Sequence, residues 1–227
     1  MITSEALKKR LLTLLTVCST MSKQDYHDLC EVMDEYKALI QRCPAQVDRT
    51  SYQALYKGFY GARHMTSKLS NNEKEDCWKN YFKLLAEQPQ AKRSLQEIIE
   101  ILHPLTHRWE VSYSTKLLAT ADPQRPVIDR FVKKELHVKA PNRNAPDFVE
   151  VWCSIYAEIE KIYNEVLASN DDGDFVNQFD EVFPSLSDLT PVKKIDVLLW
   201  QGSRLTLGGK KNRIRRYQKA FIALTNQ

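Results

Sequence analysis

Apolar side chains recur at three- and four-residue steps through most of this chain, as in YHDLCEVMDEYKALIQRC at 26 to 43, and runs that alternate at every second residue are absent. That period gives a helix one apolar face and gives a strand nothing to bury. Similar spacing predicts helices over 73–86, 94–102, 147–168, 190–200 and 212–225. MITSEALKKRLLTLLTVCST reads as an amphipathic helix capped by Thr3 or Ser4, too short in its apolar run for a membrane span. With only six glycines in 227 residues, the expected fold class is all-α, a two-lobed helical bundle.

Breaks are expected at CPAQVDRTS, KLSNNE, EQPQ, TADPQRP, KAPNRNAP, SNDDGD, FPSLSD and QGSRLTLGGKKN, each rich in Pro, Gly, Asn, Asp or Ser. No solenoid repeat is present. Five cysteines at 18, 30, 43, 77 and 153 form no C-x-x-C pair. An odd number of such thiols, with no secretion signal, suits a reduced, cytoplasmic protein.

Charge is uneven along the chain. Residues 147–188 carry eleven acids and one base, a net of −10, whereas 193–219 carry nine bases against Asp196 alone, a net of +8. Two adjacent blocks of opposite sign suggest a surface that meets a polyanion on one side and avoids it on the other. A solvated charged face is the ordinary alternative.

Several chemistries are excluded by their missing motifs. SNDDGDFVNQFDE has the cadence of a calcium loop, but with Gly173 as its sixth position the first and twelfth would be Ala168 and Phe179, which offer no ligand oxygen. His103 and His107 stand four apart without a third ligand nearby, so no metal is expected. The chain has no P-loop, no G-x-G-x-x-G and no G-x-S-x-G, and no cofactor is expected.

One stretch remains, STKLLATADPQRPVIDRFVKKEL, with Lys116 on an apolar helical run and Asp129 at the mouth of the next. The order of helix, tight turn, Thr-Lys, apolar helix, Asp-Pro loop and Pro-Val-x-Asp resembles the helix-hairpin-helix DNA glycosylases, in particular their 8-oxoguanine and endonuclease III branches. In that family a G-V-G-T-K hairpin precedes a helix and a P-V-D-x-H segment supplies an aspartate. Here Ser112, Tyr113, Ser114, Thr115 and Lys116 stand in the first place, and Pro126, Val127, Ile128 and Asp129 in the second. The resemblance implies that Lys116 is the amine nucleophile and Asp129 the catalytic carboxylate. Both hairpin glycines are serines, Phe131 stands where the family has histidine, and no cysteine quartet for an iron-sulfur cluster exists.

The chemistry suits those residue types. Breaking an N-glycosidic bond builds positive charge on the sugar, which a nearby carboxylate stabilises while it takes a proton from the attacking group. A lysine amine attacking the anomeric carbon would form a Schiff base and allow strand cleavage. Asp129 equally suits capping of the helix that follows, and Lys116 a solvated helix surface. A glycosylase also extrudes its base. For that step Trp109, Tyr113 and Tyr60 are the candidate stacking rings, although the helical spacing of Tyr52, Tyr56, Phe59 and Tyr60 also fits a core. Phosphate contacts are assigned to Ser112, Ser114, Thr115, Arg130, Lys133, Lys134, Lys210, Lys211, Arg213, Arg215 and Arg216.

The expectation is thus one helical domain over 1–227, with a hairpin and catalytic segment at 105–140 and a basic C-terminal segment at 190–227. It would act as a monomer on double-stranded DNA, excising a modified base in repair or in antiviral defence, with or without lyase activity, and without a membrane. The alternatives are a non-catalytic nucleic-acid-binding module and a helical protein that binds an acidic partner.

Overall fold

In a computed structural model of the chain, residues 1–169 and 175–206 are described. They are all-α: ten α-helices and two short 3-10 turns, with no strand among the described residues. The expected helix at 212–225 and the basic residues Lys210, Lys211, Arg213, Arg215 and Arg216 lie outside the described residues. None of the described helices is long and apolar enough to cross a membrane. The five cysteines form no disulfide.

The described residues divide into two compact units, 1–31 with 123–206, and 32–122. The second is therefore inserted in sequence between the two halves of the first. In the first unit, α1 (Ser4–Ser19) is capped by Thr3, whose hydroxyl accepts the Ala6 amide at 3.2 Å. It buries Leu7, Leu11, Leu14, Leu15 and Cys18, a stripe at three- and four-residue steps. The N-terminal part of α2 (Lys23–Arg42) belongs to the same unit. It is completed by α7 (Arg130–Glu135), α8 (Phe148–Ala168), α9 (Phe175–Val182) and α10 (Pro191–Thr206). Against α1 pack α8, α9 and, most extensively, α10. The close approach of α1 and α10 needs Gly202, where an added Cβ would lie 2.8 Å from Leu14 Cδ2 and 2.9 Å from Leu14 Cβ.

The second unit holds the remainder of α2 with α3 (Thr50–Phe59), α4 (Asn71–Ala91), α5 (Leu95–Thr106) and α6 (Val111–Ala121). Both α4 and α5 begin in capping boxes, Ser70 with Glu73 and Ser94 with Glu97, each satisfying otherwise orphaned amides at a helix start. The break expected at EQPQ does not occur there. Pro89 falls in the last turn of α4, where its missing N–H removes a single ladder bond, and the helix runs on to Ala91 before Lys92 turns left-handed at φ 48°.

Tyrosines hold α6 in place. Tyr56 and Tyr81 share a hydroxyl bond of 2.6 Å, and Tyr81 donates onward to the Tyr113 carbonyl at 2.8 Å. Tyr36 donates to the Ala119 carbonyl, and Tyr52 to the Leu39 carbonyl. Tyr52 and Tyr56 are fully buried, so these rings are core; the Tyr52 hydroxyl answers a backbone carbonyl directly, and Tyr56 bonds Tyr81, whose hydroxyl answers another.

Candidate active site

Asp129 ends an extended segment whose polar backbone groups are tied down one after another. Thr190 donates to the Pro123 carbonyl at 2.7 Å and accepts the Lys193 amide, which joins this segment to the start of α10. Tyr156 of α8 donates to the Pro126 carbonyl at 3.1 Å, and the Val127 amide donates to Asp196 at 3.3 Å. Pro126, Val127 and Ile128 are buried. The backbone that leads to Asp129 is thus anchored by groups of α8 and of α10 and its N-cap, residues distant in sequence.

At the mouth of α7, Asp129 Oδ1 accepts the Phe131 amide at 2.7 Å and the Val132 amide at 2.9 Å. Among the described residues Oδ2 has no hydrogen-bond partner. The far end of α7 is held equally firmly. Glu135 takes Arg10 Nε at 2.6 Å and the Ser203 hydroxyl, linking α7 to α1 and α10. Burial disfavours the Glu135 charge, but the hydrogen bonds from Arg10 and Ser203, with the Arg10 and Lys134 charges, hold its carboxyl below the usual range. The helix stops in a Schellman turn, with His137 left-handed at φ 51° and Val138 donating to the Lys133 carbonyl at 2.8 Å.

Beneath the segment lies a buried carboxylate whose depth the charge pattern does not reveal. Asp196 is buried and accepts Lys193 Nζ at 2.9 Å, the Tyr163 hydroxyl at 3.2 Å and the Val127 amide. Burial pushes its carboxyl above the ordinary value and the nearby Asp129 charge adds to this, while Lys193 and the Val127 amide oppose it. The sequence signal is VKKID, where Lys193 and Asp196 stand three apart at the start of the apolar run VLLW. Lys193 and Lys194 therefore do not extend a polyanion-binding face. Both are buried, Lys194 donating to Asp180 at 2.8 Å. A charge count along a sequence sees sign and not depth.

The second unit carries Lys116. The turn between α5 and α6 occupies residues 107–110, where His107 is left-handed at φ 53°, and Ser112 to Lys116 are already helical, in the first turns of α6. Ser114 and Thr115 are fully buried, and their hydroxyls donate to the Glu110 and Ser112 carbonyls, so neither side chain faces solvent to meet a phosphate. Ser112 is half-buried. Lys116 Nζ donates to the Tyr60 carbonyl at 3.1 Å and lies 4.6 Å from the Tyr113 ring centroid. Tyr60 bonds Thr120 at 2.9 Å, and the Thr120 hydroxyl bonds the Lys116 carbonyl at 2.8 Å. Trp109 stacks on His103. Each proposed stacking ring thus already has an intramolecular neighbour.

Of the remaining phosphate candidates, Arg130 and Lys134 are exposed and Lys133 is half-buried with its ammonium 5.9 Å from the Trp152 ring centroid. All three belong to α7, directly after Asp129. Asp129 and Lys116 belong to different units. Thiolate chemistry at Cys18 and Cys43 is disfavoured near neutral pH, since burial raises the Cys18 thiol to about 12 and, with an opposing hydrogen bond from Tyr52, the Cys43 thiol to about 11. No family model, curated protein or solved structure matches the chain.

Proposed function

We propose that the chain is a DNA N-glycosylase of the helix-hairpin-helix kind, which removes a modified base with Asp129 as the carboxylate that stabilises the sugar cation and activates water. The observation that carries this is the asymmetry of Asp129: one oxygen is fixed by two amides of α7, and the other takes no bond among the described residues. A carboxylate aimed by its own helix and by an anchored segment is preorganised for charge that develops in a transition state. The exposed Arg130 and Lys134 that follow Asp129 on α7 agree with a DNA-facing role.

The test is release of free base from genomic DNAs of differing modification. Asp129→Asn keeps the capping oxygen and removes the charge, so base release should fall by at least about a hundredfold with the fold intact. Equal release by the variant would remove Asp129 from the chemistry.

A second reading follows from the same bonds. Both hydrogen bonds to Asp129 come from its own helix, as in a simple N-cap, which fits a non-catalytic nucleic-acid-binding module. In that case DNA is bound and no base is released from any substrate.

A further inference from the structure

A groove of about 680 Å³ runs between α3 and α4 in the second unit, a size suited to a small ligand. Its inner wall is aromatic, with Phe82 buried and Trp78 half-buried, and the two rings stack at 5.7 Å between centroids. Lys57 of α3 reaches across this wall. Its ammonium lies 4.7 Å from the Trp78 centroid and 5.5 Å from that of Phe82.

Among the described residues no hydrogen-bond acceptor and no carboxylate meets that ammonium. Burial accordingly pulls its pKa below the ordinary lysine value. Ring faces attract a cation, but they accept none of its three N–H groups in the way that oxygen does. Lys74 and Lys79 of α4 line the same groove, and neither has an ion pair among the described residues. Two acids, Asp48 and Glu75, also line it, and both are exposed. Lys83 lines it too and lies 4.0 Å from Glu87, so four lysines against two carboxylates leave the groove cationic, with its most buried charge unanswered.

We propose that this groove binds a phosphate ester, with Lys57 as the central contact, Lys74 and Lys79 at the rim, and the Trp78–Phe82 wall against the apolar part of the ligand. A phosphate supplies the acceptors that Lys57 lacks and the negative charge that offsets its burial. The chemistry is shared by a free mononucleotide and by a phosphodiester strand. It stands apart from the Asp129 reaction and does not depend on it.

The experiment is calorimetric titration of the full chain with inorganic phosphate, adenosine monophosphate and a single-stranded oligonucleotide, repeated with Lys57→Gln. Binding of the mononucleotide identifies a small-molecule site, and binding of the oligonucleotide alone identifies a strand contact. In either case Lys57→Gln should weaken binding about tenfold or more, while Lys9→Gln, at an exposed position of α1 in the other unit, leaves the affinity unchanged. Lys57→Arg keeps the charge and should restore most of the affinity, which separates a lost contact from a lost fold. Absence of binding by all three probes overturns the proposal, as does equal affinity in Lys57→Gln.

Discussion

The Lys193 ammonium and Asp196 Oδ2 lie 2.9 Å apart, one turn from each other on α10, with both side chains buried. The pair also anchors the segment leading to Asp129, because Asp196 accepts the Val127 amide as well. Removing one partner strands a charge in the interior, whereas removing both does not. Asp196→Ala should therefore destabilise the protein by about 3–5 kcal/mol. That corresponds to a melting temperature lower by on the order of 10 °C for a chain of this size. Adding Lys193→Met should recover part of the loss. Urea denaturation of the three proteins checks this, and equal losses in the single and double variants would show that the two charges are not coupled.

Glu135 makes stability depend on pH. Its carboxyl is held below the ordinary range in the folded protein, so the unfolded chain takes up the proton first as pH falls. The stabilisation is complete above the unfolded value near ~4.3 and is lost as pH drops through the folded value. At neutral pH the wild type should exceed Glu135→Gln by about 1–3 kcal/mol, through the bonds to Arg10 and Ser203. The difference should shrink toward zero in acid, as measured by denaturation at stepped pH. A difference that stays constant from pH 7 to pH 3 would place the effect in packing and not in charge.

Gly202 offers a purely steric prediction. Alanine is the better helix former by about 1 kcal/mol. Its Cβ, however, would meet Leu14 Cβ at 2.9 Å, and that atom sits on the α1 backbone and cannot swing aside. Gly202→Ala should consequently lower stability by about 1–3 kcal/mol. Truncating Leu14 to alanine as well leaves the Cβ but removes the Cδ2 contact, so the two changes should cost less together than the sum of their separate effects. Strict additivity in a double-mutant cycle would contradict the contact.

The residues differ in how much of this the sequence made legible. The Thr3 cap and the stripe from Leu7 to Cys18 follow from local rules, and so does capping of α7 by Asp129, because a cap and an apolar period are encoded within a turn or two. The tight turn expected at Ser112 to Lys116 is helix instead, and no local signal marks this, because Glu110, the N-cap residue of α6, makes no side-chain capping bond. Lys194 was read as surface because its partner, Asp180, is fourteen positions away on another helix. Likewise the groove around Lys57 joins lysines of two helices, and only their packing brings those charges together. Local grammar reaches caps and faces, while burial is decided by tertiary contacts.

Lys116 gives the final prediction. An amine that attacks a sugar must be free to reach it, yet Nζ donates to the Tyr60 carbonyl at 3.1 Å and lies 4.6 Å from the Tyr113 ring centroid. The hydroxyl bonds of Tyr60 and Thr120 close this arrangement around the lysine. Under the proposed reaction the nucleophile is then water, with Asp129 as the activating carboxylate. Borohydride added during base release should trap no covalent protein–DNA adduct, and Lys116→Gln, whose amide also donates to a carbonyl, should retain base release within about tenfold. Lys116→Met cannot donate and leaves the Tyr60 carbonyl without this partner, so it should lower stability by about 1–3 kcal/mol. A trapped adduct that disappears in Lys116→Gln would instead establish the lysine as the nucleophile and require Nζ to leave Tyr60 when DNA binds.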